Sequence, residues 1–227
     1  MSESNAVFIA KHQRVKRGDV DDQNKIRQQI IDAAAAIYHR DGLDAMTMRA
    51  VAASVGMSAM GIYRYFNDKS SLVMALWDDI LNEARLHVKK VLATDASARV
   101  RLRRSIDSYL EYWENNVGHF RLVYMTDQTL GISRDARPTM SSDYQKAILL
   151  SLPLLEDLAK EIGGNPENVL LARDLRLTLM VGYLHSRLVN IRYPWTNLDD
   201  LRQCVVDAIS DAVENCLIHG QAKRFEY

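Results

Sequence analysis

A chain of 227 residues that is 48% hydrophobic holds enough apolar material for one large domain, or for a small one joined to a larger, and this excludes a disordered tail. Its 29 basic and 29 acidic side chains cancel, so net charge points to neither nucleic acid nor an acidic membrane, and local charge must decide. Ten Gly and four Pro scattered among long runs of Ala, Leu, Arg, Glu and Asp, with no alternating β-branched run of strand length, predict an all-α fold.

Residues 1–23 are polar and aperiodic and read as a flexible arm, in which KHQRVKR (11–17) gathers four basic side chains without an acid. VFIA is too short for a secretory leader, and no run nears the roughly 18 to 20 apolar residues that span a bilayer. A cytoplasmic protein without a membrane partner is expected. From 25 to 40, Ile26, Ile30, Ala33, Ala34, Ile37 and Tyr38 recur at helical spacing, and Gly42 follows as a stop signal. Thr47 can cap a short second helix ending near Ser54. Gly56 then turns the chain, Ser58 can cap a third helix, and Asn67 or Asp68 a fourth over 70–92, uninterrupted by Pro or Gly.

Two short helices around a tight turn bury little alone, so they must pack on the first helix and on each other. Ala52 and Ala53 permit that approach, and Val51, Val55, Met57 and Ile62 supply the inward face. The spacing is that of a helix-turn-helix. Its second helix presents Ser58, Ala59, Met60, Gly61, Tyr63 and Arg64 outward, small at the start, where it would enter a groove about 12 Å wide. Ser58 and the hydroxyls of Tyr63 and Tyr65 can donate to phosphates, Lys69 can neutralise one, and Arg49 can reach a base edge, guanine being arginine's commonest specific partner. Packing tyrosines and a solvated arginine are the plainer alternative. No acid lies between Ala45 and Asn67.

Residues 26–75 resemble the DNA-binding domain of the tetracycline-repressor (TetR) family of bacterial transcription regulators. The resemblance lies in GLDAMTMRAVAASVGMSAMGIYRYFNDKSSLVMAL, at Gly42, Thr47, Arg49, Ala52, Gly56, Ser58, Ile62, Tyr63, Tyr65, Phe66, Lys69 and Leu72. It implies a DNA-binding domain over 24–70, an effector-binding and dimerisation domain over 71–227, and a homodimer on a near-palindromic double-stranded operator. By position it also implies that Thr47, Tyr63, Tyr65 and Lys69 contact phosphates while Arg49, Ala59, Met60, Gly61 and Arg64 lie near bases.

Further helices are predicted over 98–117, 119–130, 141–162, 166–191 and 198–219, with RDARPT as a loop, Asn165-Pro166 and Thr196 or Asn197 as starts, and Pro153 delaying or kinking the seventh. Tyr109 and Trp113 share one face of the fifth helix, and Phe120, Tyr124 and Met125 follow; aromatics with polar handles suit pocket walls as well as cores. A small apolar or aromatic effector is expected near Tyr109, Trp113, Tyr124, Met125 and Met180. His185 joins these through a weak likeness to a histidine-bearing helix of some family members.

The last two long helices each carry two apolar stripes, one for their own core and one for a partner. In the eighth these are Leu177, Met180, Leu184 and Leu188 against Leu175, Leu179, Gly182, Ser186 and Val189; in the ninth, Leu201, Val205, Ala208 and Ala212 against Val206, Ile209, Val213, Cys216 and Leu217. Family resemblance implies a four-helix dimer interface. Leu175, Leu179, Gly182, Ser186, Val206, Ile209 and Val213 are the interface candidates, although the pattern leaves the choice of stripe open. Cys204 and Cys216 read as buried structural thiols.

Six histidines without metal spacing, and a GGN without the context of a phosphate loop, give no enzyme signature, and no cofactor is expected. The expectation is a ligand-responsive repressor. The alternative is an effector-free or protein-controlled architectural DNA-binding protein with the same fold.

Overall fold

The computed structural model describes residues 17–126, 145–146, 149–190 and 192–220. Most of the predicted arm, the end of the sixth helix at Leu130, the RDARPT segment, the seventh helix's start at Ser141, and Ile191 lie outside these residues. Among the described residues there are helices and no strand, and no helix is long and apolar enough to cross a membrane. The chain forms two compact units, Met1–Leu76 and Trp77–Tyr227.

In the first unit, α1 spans Arg17–Asp41 and begins earlier than the apolar period suggests, so residues 17–23, expected in the arm, are helical. Apolar periodicity marks where a helix is buried, and the exposed turn at Asp22–Lys25 has nothing to bury. Gly42, at φ 84°, ends the helix in the left-handed region, and its N–H donates to Tyr38 O at 2.9 Å. Thr47 caps α2 (Met48–Ser54), and Ser58 caps α3 (Ala59–Ile62). Between them Gly56 takes φ 68°, the positive value expected of the turn. Val51, Ala52 and Ile62 pack inward with Met46, Phe66 and the α1 residues Ile30, Ile31 and Ala34. Val55 and Met57 are only half-buried, and Ala53 is exposed, so the close approach depends on Ala52 alone. Arg27 of α1 lies over the Phe66 ring, 4.7 Å from its centroid. Asp68, one of the two predicted caps, accepts from Ser71 N at 2.7 Å and starts α4 (Lys69–Leu92).

The second unit contains α5 (Ala98–Asn115), α6 (Val117–Met125), α7 (Leu152–Ile162), a 3-10 turn at Pro166–Asn168, α8 (Val169–Val189) and α9 (Leu198–His219). Pro153 lies in the first turn of α7, where its missing N–H costs no helical bond. Gly164 is held by proximity: a Cβ there would sit 3.0 Å from Leu217 O, and the next N–H, of Asn165, donates to that same carbonyl at 2.8 Å. Asn165 caps the 3-10 turn and Asn197 caps α9. Ion pairs tie α5 to its neighbours: Arg99 is bidentate to Glu214, Arg103 meets Asp207, Arg202 reaches Asp107 and Glu114, and Arg101 reaches Asp157 of α7.

Burial corrects the proposed interface stripe of α9. Val206, Ile209 and Val213 are in the unit's own core, at 3% exposure or less. The opposite stripe is the open one: Leu201, Val205 and Ala212 are half-buried and Ala208 is exposed. On α8 the earlier choice coincides with the open face, since Leu179, Gly182 and Ser186 are exposed and Leu175 is half-buried, while Met180, Leu184 and Leu188 are buried. Leu177, expected in the inward stripe, is exposed. The thiols also divide: Cys216 is buried, and burial raises its pKa, whereas Cys204 is exposed and is not the buried thiol expected.

Candidate functional site

The first unit carries the predicted DNA-reading residues between Thr47 and Lys69, most of them exposed. Thr47 Oγ1 accepts from Ala50 N at 3.1 Å and Ser58 Oγ accepts from Gly61 N at 3.0 Å. A capping hydroxyl that accepts from its own helix keeps its O–H to donate elsewhere, so both caps can serve their helices and a phosphate at once. Arg49, in the first turn of α2, is exposed, as are Ser58, Ala59, Met60, Tyr63 and Arg64. Met60 is 78% exposed, the most open large apolar side chain among those described. A bare thioether in water is costly, and its chemistry would suit an apolar partner such as a thymine methyl. Gly61 and Tyr65 are half-buried.

Lys69 is more constrained than its sequence position suggests. Its Nζ donates to Leu43 O at 2.6 Å, fastening the start of α4 to the loop after α1. An ammonium has three donors, so two remain for a phosphate.

The second unit holds the ring cluster expected of an effector site. Trp113 is fully buried, with Tyr109 (6.0 Å), Tyr112 (5.0 Å), Phe120 (6.0 Å) and Tyr124 (5.3 Å) around it in edge-on geometry. The Tyr109 and Tyr124 hydroxyls are 2.7 Å apart and bonded to each other. Tyr112 donates to Glu83 Oε2 at 3.2 Å and lies 3.1 Å from His119 Nδ1. Burial first, then the Glu83 charge and hydrogen bond, push its phenol well above the usual range.

Of the predicted ligand residues, Tyr109, Trp113 and Tyr124 come together and Met180 is buried. Met125 and His185 are exposed, Met125 at the last residue of α6 and His185 beside Gly182 and Ser186 on the open face of α8. The exposure of His185 removes it from the aromatic interior, since a side chain lining an enclosed site must be buried.

Sequence reasoning missed Arg176. It lies in the otherwise apolar row Ala172, Met180, Leu184 and Leu188 of α8, half-buried as a residue but with its Nε buried and without a hydrogen-bond partner among the described residues. A cation at a position the helical period reserves for a core side chain was the available signal.

The description "Bacterial regulatory proteins, tetR family" matches residues 30–76. The transcriptional activator FasR of Mycolicibacterium smegmatis is 25% identical over 112 residues, 49% of this chain and 51% of that protein. The nicotine-responsive transcriptional repressor HdnoR of Paenarthrobacter nicotinovorans is 26% identical over 129 residues, 54% of this chain and 64% of its own. The chain thus spans between half and two thirds of the length of these relatives. Among solved structures, a protein of unknown function from Rhodococcus sp. RHA1 matches with a TM-score of 0.66 at 15% identity, over 85% of this chain and 95% of that one. At that identity the likeness is one of fold.

Proposed function

Because the chain belongs to the TetR family of bacterial transcriptional regulators, we propose that it is a homodimeric repressor held on a near-palindromic operator until a small apolar or aromatic effector releases it. Membership makes it a DNA-binding regulator rather than an enzyme. The observation that carries the reading is the exposed face from Thr47 to Arg64, which bears Arg49, Arg64, two capping hydroxyls and the Tyr63 phenol without a single carboxylate.

In this reading Thr47, Ser58, Tyr63, Tyr65 and Lys69 hold phosphates and set register. Arg49 and Arg64 read base edges, and Ala59, Met60 and Gly61 admit the helix and meet thymine methyls. The two relatives act with opposite signs, one an activator and one a repressor. Repression is favoured physically because it needs only occupancy of the DNA, whereas activation needs a further productive contact with the transcription machinery.

Dimerisation rests on the open stripes of α8 and α9, Leu175, Leu179, Gly182 and Ser186 with Leu201, Val205, Ala208 and Ala212. Small residues in both lines let two helix pairs approach closely. The effector reading rests on the Trp113 cluster.

The test is to select genomic fragments on the purified full-length chain, then measure their affinity at fixed salt with and without candidate effectors. A recovered near-palindrome bound well above random DNA is the expected result. Equal affinity for all sequences would refute specific regulation, and a specific site that no compound releases would favour the effector-free architectural role.

A further inference from the structure

Arginines in the second unit are in general matched by carboxylates. Arg99, Arg101, Arg103 and Arg202 each meet an Asp or Glu on a facing helix. Arg176 does not. Among the described residues its Nε is buried without a partner, and its Nη1 reaches the Ser105 hydroxyl of α5 at a long 3.4 Å. That hydroxyl donates its own proton to Leu102 O at 2.7 Å and accepts from Arg176 as a neutral group, so it supplies no negative charge. Burial lowers the Arg176 pKa to about 10, with Tyr109 acting in the opposite direction. The guanidinium therefore stays cationic at neutral pH; the residue as a whole is half-buried, but its Nε is shut away from water without an anion beside it among the described residues.

Ser105, Tyr109 and Trp113 follow one another at intervals of four along α5, one face of the helix over about 12 Å. Arg176 reaches the first of these, and Trp113 carries the other orphan on that face, a buried Nε1 with no acceptor among the described residues. Two unsatisfied donors joined by an aromatic wall describe a receptor for a molecule with an anion at one end and an acceptor toward the other.

We propose that Arg176 is the anion anchor of an internal ligand site on α5 and α8, and that the ligand is a monocarboxylic acid with an aromatic or otherwise apolar body. A carboxylate matches the two-pronged donor geometry of a guanidinium. A single cation neutralises a single negative charge, so a phosphate dianion would leave one charge buried and unmatched. Ser105 positions the guanidinium, the Tyr109 and Tyr124 rings flank the body, and Trp113 Nε1 donates to an ether, carbonyl or hydroxyl oxygen. This assignment rests on the effector reading above and narrows it to a class of compound.

The experiment compares acids with their primary amides, which keep shape and lose charge, on the full-length chain by calorimetric titration and thermal shift. The probes are methoxynaphthylacetic acid, phenylbutyric acid and dodecanoic acid, each against its amide. At least one acid is expected to bind at least about tenfold more tightly than its amide. In Arg176→Met, with its fold checked by circular dichroism, that preference is expected to vanish. Its ligand-free Tm should equal or exceed the wild-type value, because the change removes a partly buried charge that no carboxylate among the described residues matches. Arg176→Gln is read the same way if the Met variant does not fold, and the wild-type comparison of acid with amide decides the point if neither does. Equal binding of acids and amides would overturn the anion assignment and leave the effector reading standing. Persistence of acid preference without Arg176 would overturn it too. No response to either class would overturn the assignment and count against the effector reading as well.

Discussion

Arg49 and Lys69 carry the same charge in different circumstances, and their substitutions should separate accordingly. Arg49 is exposed on a face without carboxylates, so Arg49→Ala should leave the fold intact and relax sequence preference by about 1 to 3 kcal/mol in competition binding at fixed salt. Lys69 also fastens α4 to Leu43 O; Lys69→Ala should weaken every site alike and lower Tm, whereas Tyr63→Phe should weaken every site without touching Tm. An Arg49→Ala protein that binds all sequences like wild type would remove the base contact. Tyr112 offers a pH test within the second unit. Its folded pKa is raised, first by burial and then by Glu83, and that of Tyr183 likewise, first by burial and then by its bond to Glu114. An unfolded phenol ionises near 10.0. Stability from these groups is therefore fully present below pH 10 and declines above it, because the unfolded chain releases protons that the folded one retains. Denaturant titrations from neutral pH to above 10 should show that decline, and Tyr112→Phe should make it shallower.

At the level of elements, boundaries set by local chemistry were legible in the sequence. Thr47, Ser58, Asp68, Asn165 and Asn197 cap as their side chains allow, and Gly42 and Gly56 take the positive φ their positions ask for. Each is a one-turn decision that neighbouring residues settle. The early start of α1 was not legible, because its first turns lack an apolar face, and neither was the orientation of α9, whose two stripes are similar in apolar content. Which stripe a helix buries depends on its neighbours, and only tertiary packing supplies them. Arg176 was half legible: its place in the row Ala172, Met180, Leu184 and Leu188 is in the sequence, but its orphaned Nε depends on the helices packed around it. The reassigned stripe gives a sharp contrast. Ala208→Glu with Leu179→Glu, both at exposed positions, should yield a folded monomer by sedimentation and circular dichroism. Val213→Asp should instead unfold the second unit, since an unpaired carboxylate at a fully buried site costs several kcal/mol. An unchanged dimer in the double variant would move the interface off these stripes.

For the whole molecule, regulation requires that effector and operator be thermodynamically coupled, and coupling is reciprocal. In a two-fold dimer the third helices must meet major grooves roughly 34 to 36 Å apart, or a multiple of that, so any state that changes this spacing trades operator affinity against effector affinity. α4 runs from Lys69 to Leu92 without Pro or Gly, from residues of the first unit to residues of the second. If an effector lowers operator affinity by a given factor, operator must lower effector affinity by the same factor, typically about 5- to 150-fold for 1 to 3 kcal/mol of coupling. Calorimetric titration of the tightest acid in the presence and absence of the selected operator measures one arm, and operator anisotropy with and without that acid measures the other. Weaker acid binding on the DNA-bound protein, by the factor seen in the operator titrations, identifies a repressor released by its ligand. Tighter binding by a matched factor would mean the ligand holds the protein on DNA, as a co-repressor does. Equal affinity in both titrations would detach the Arg176 site from transcriptional control, even though the site itself binds acids.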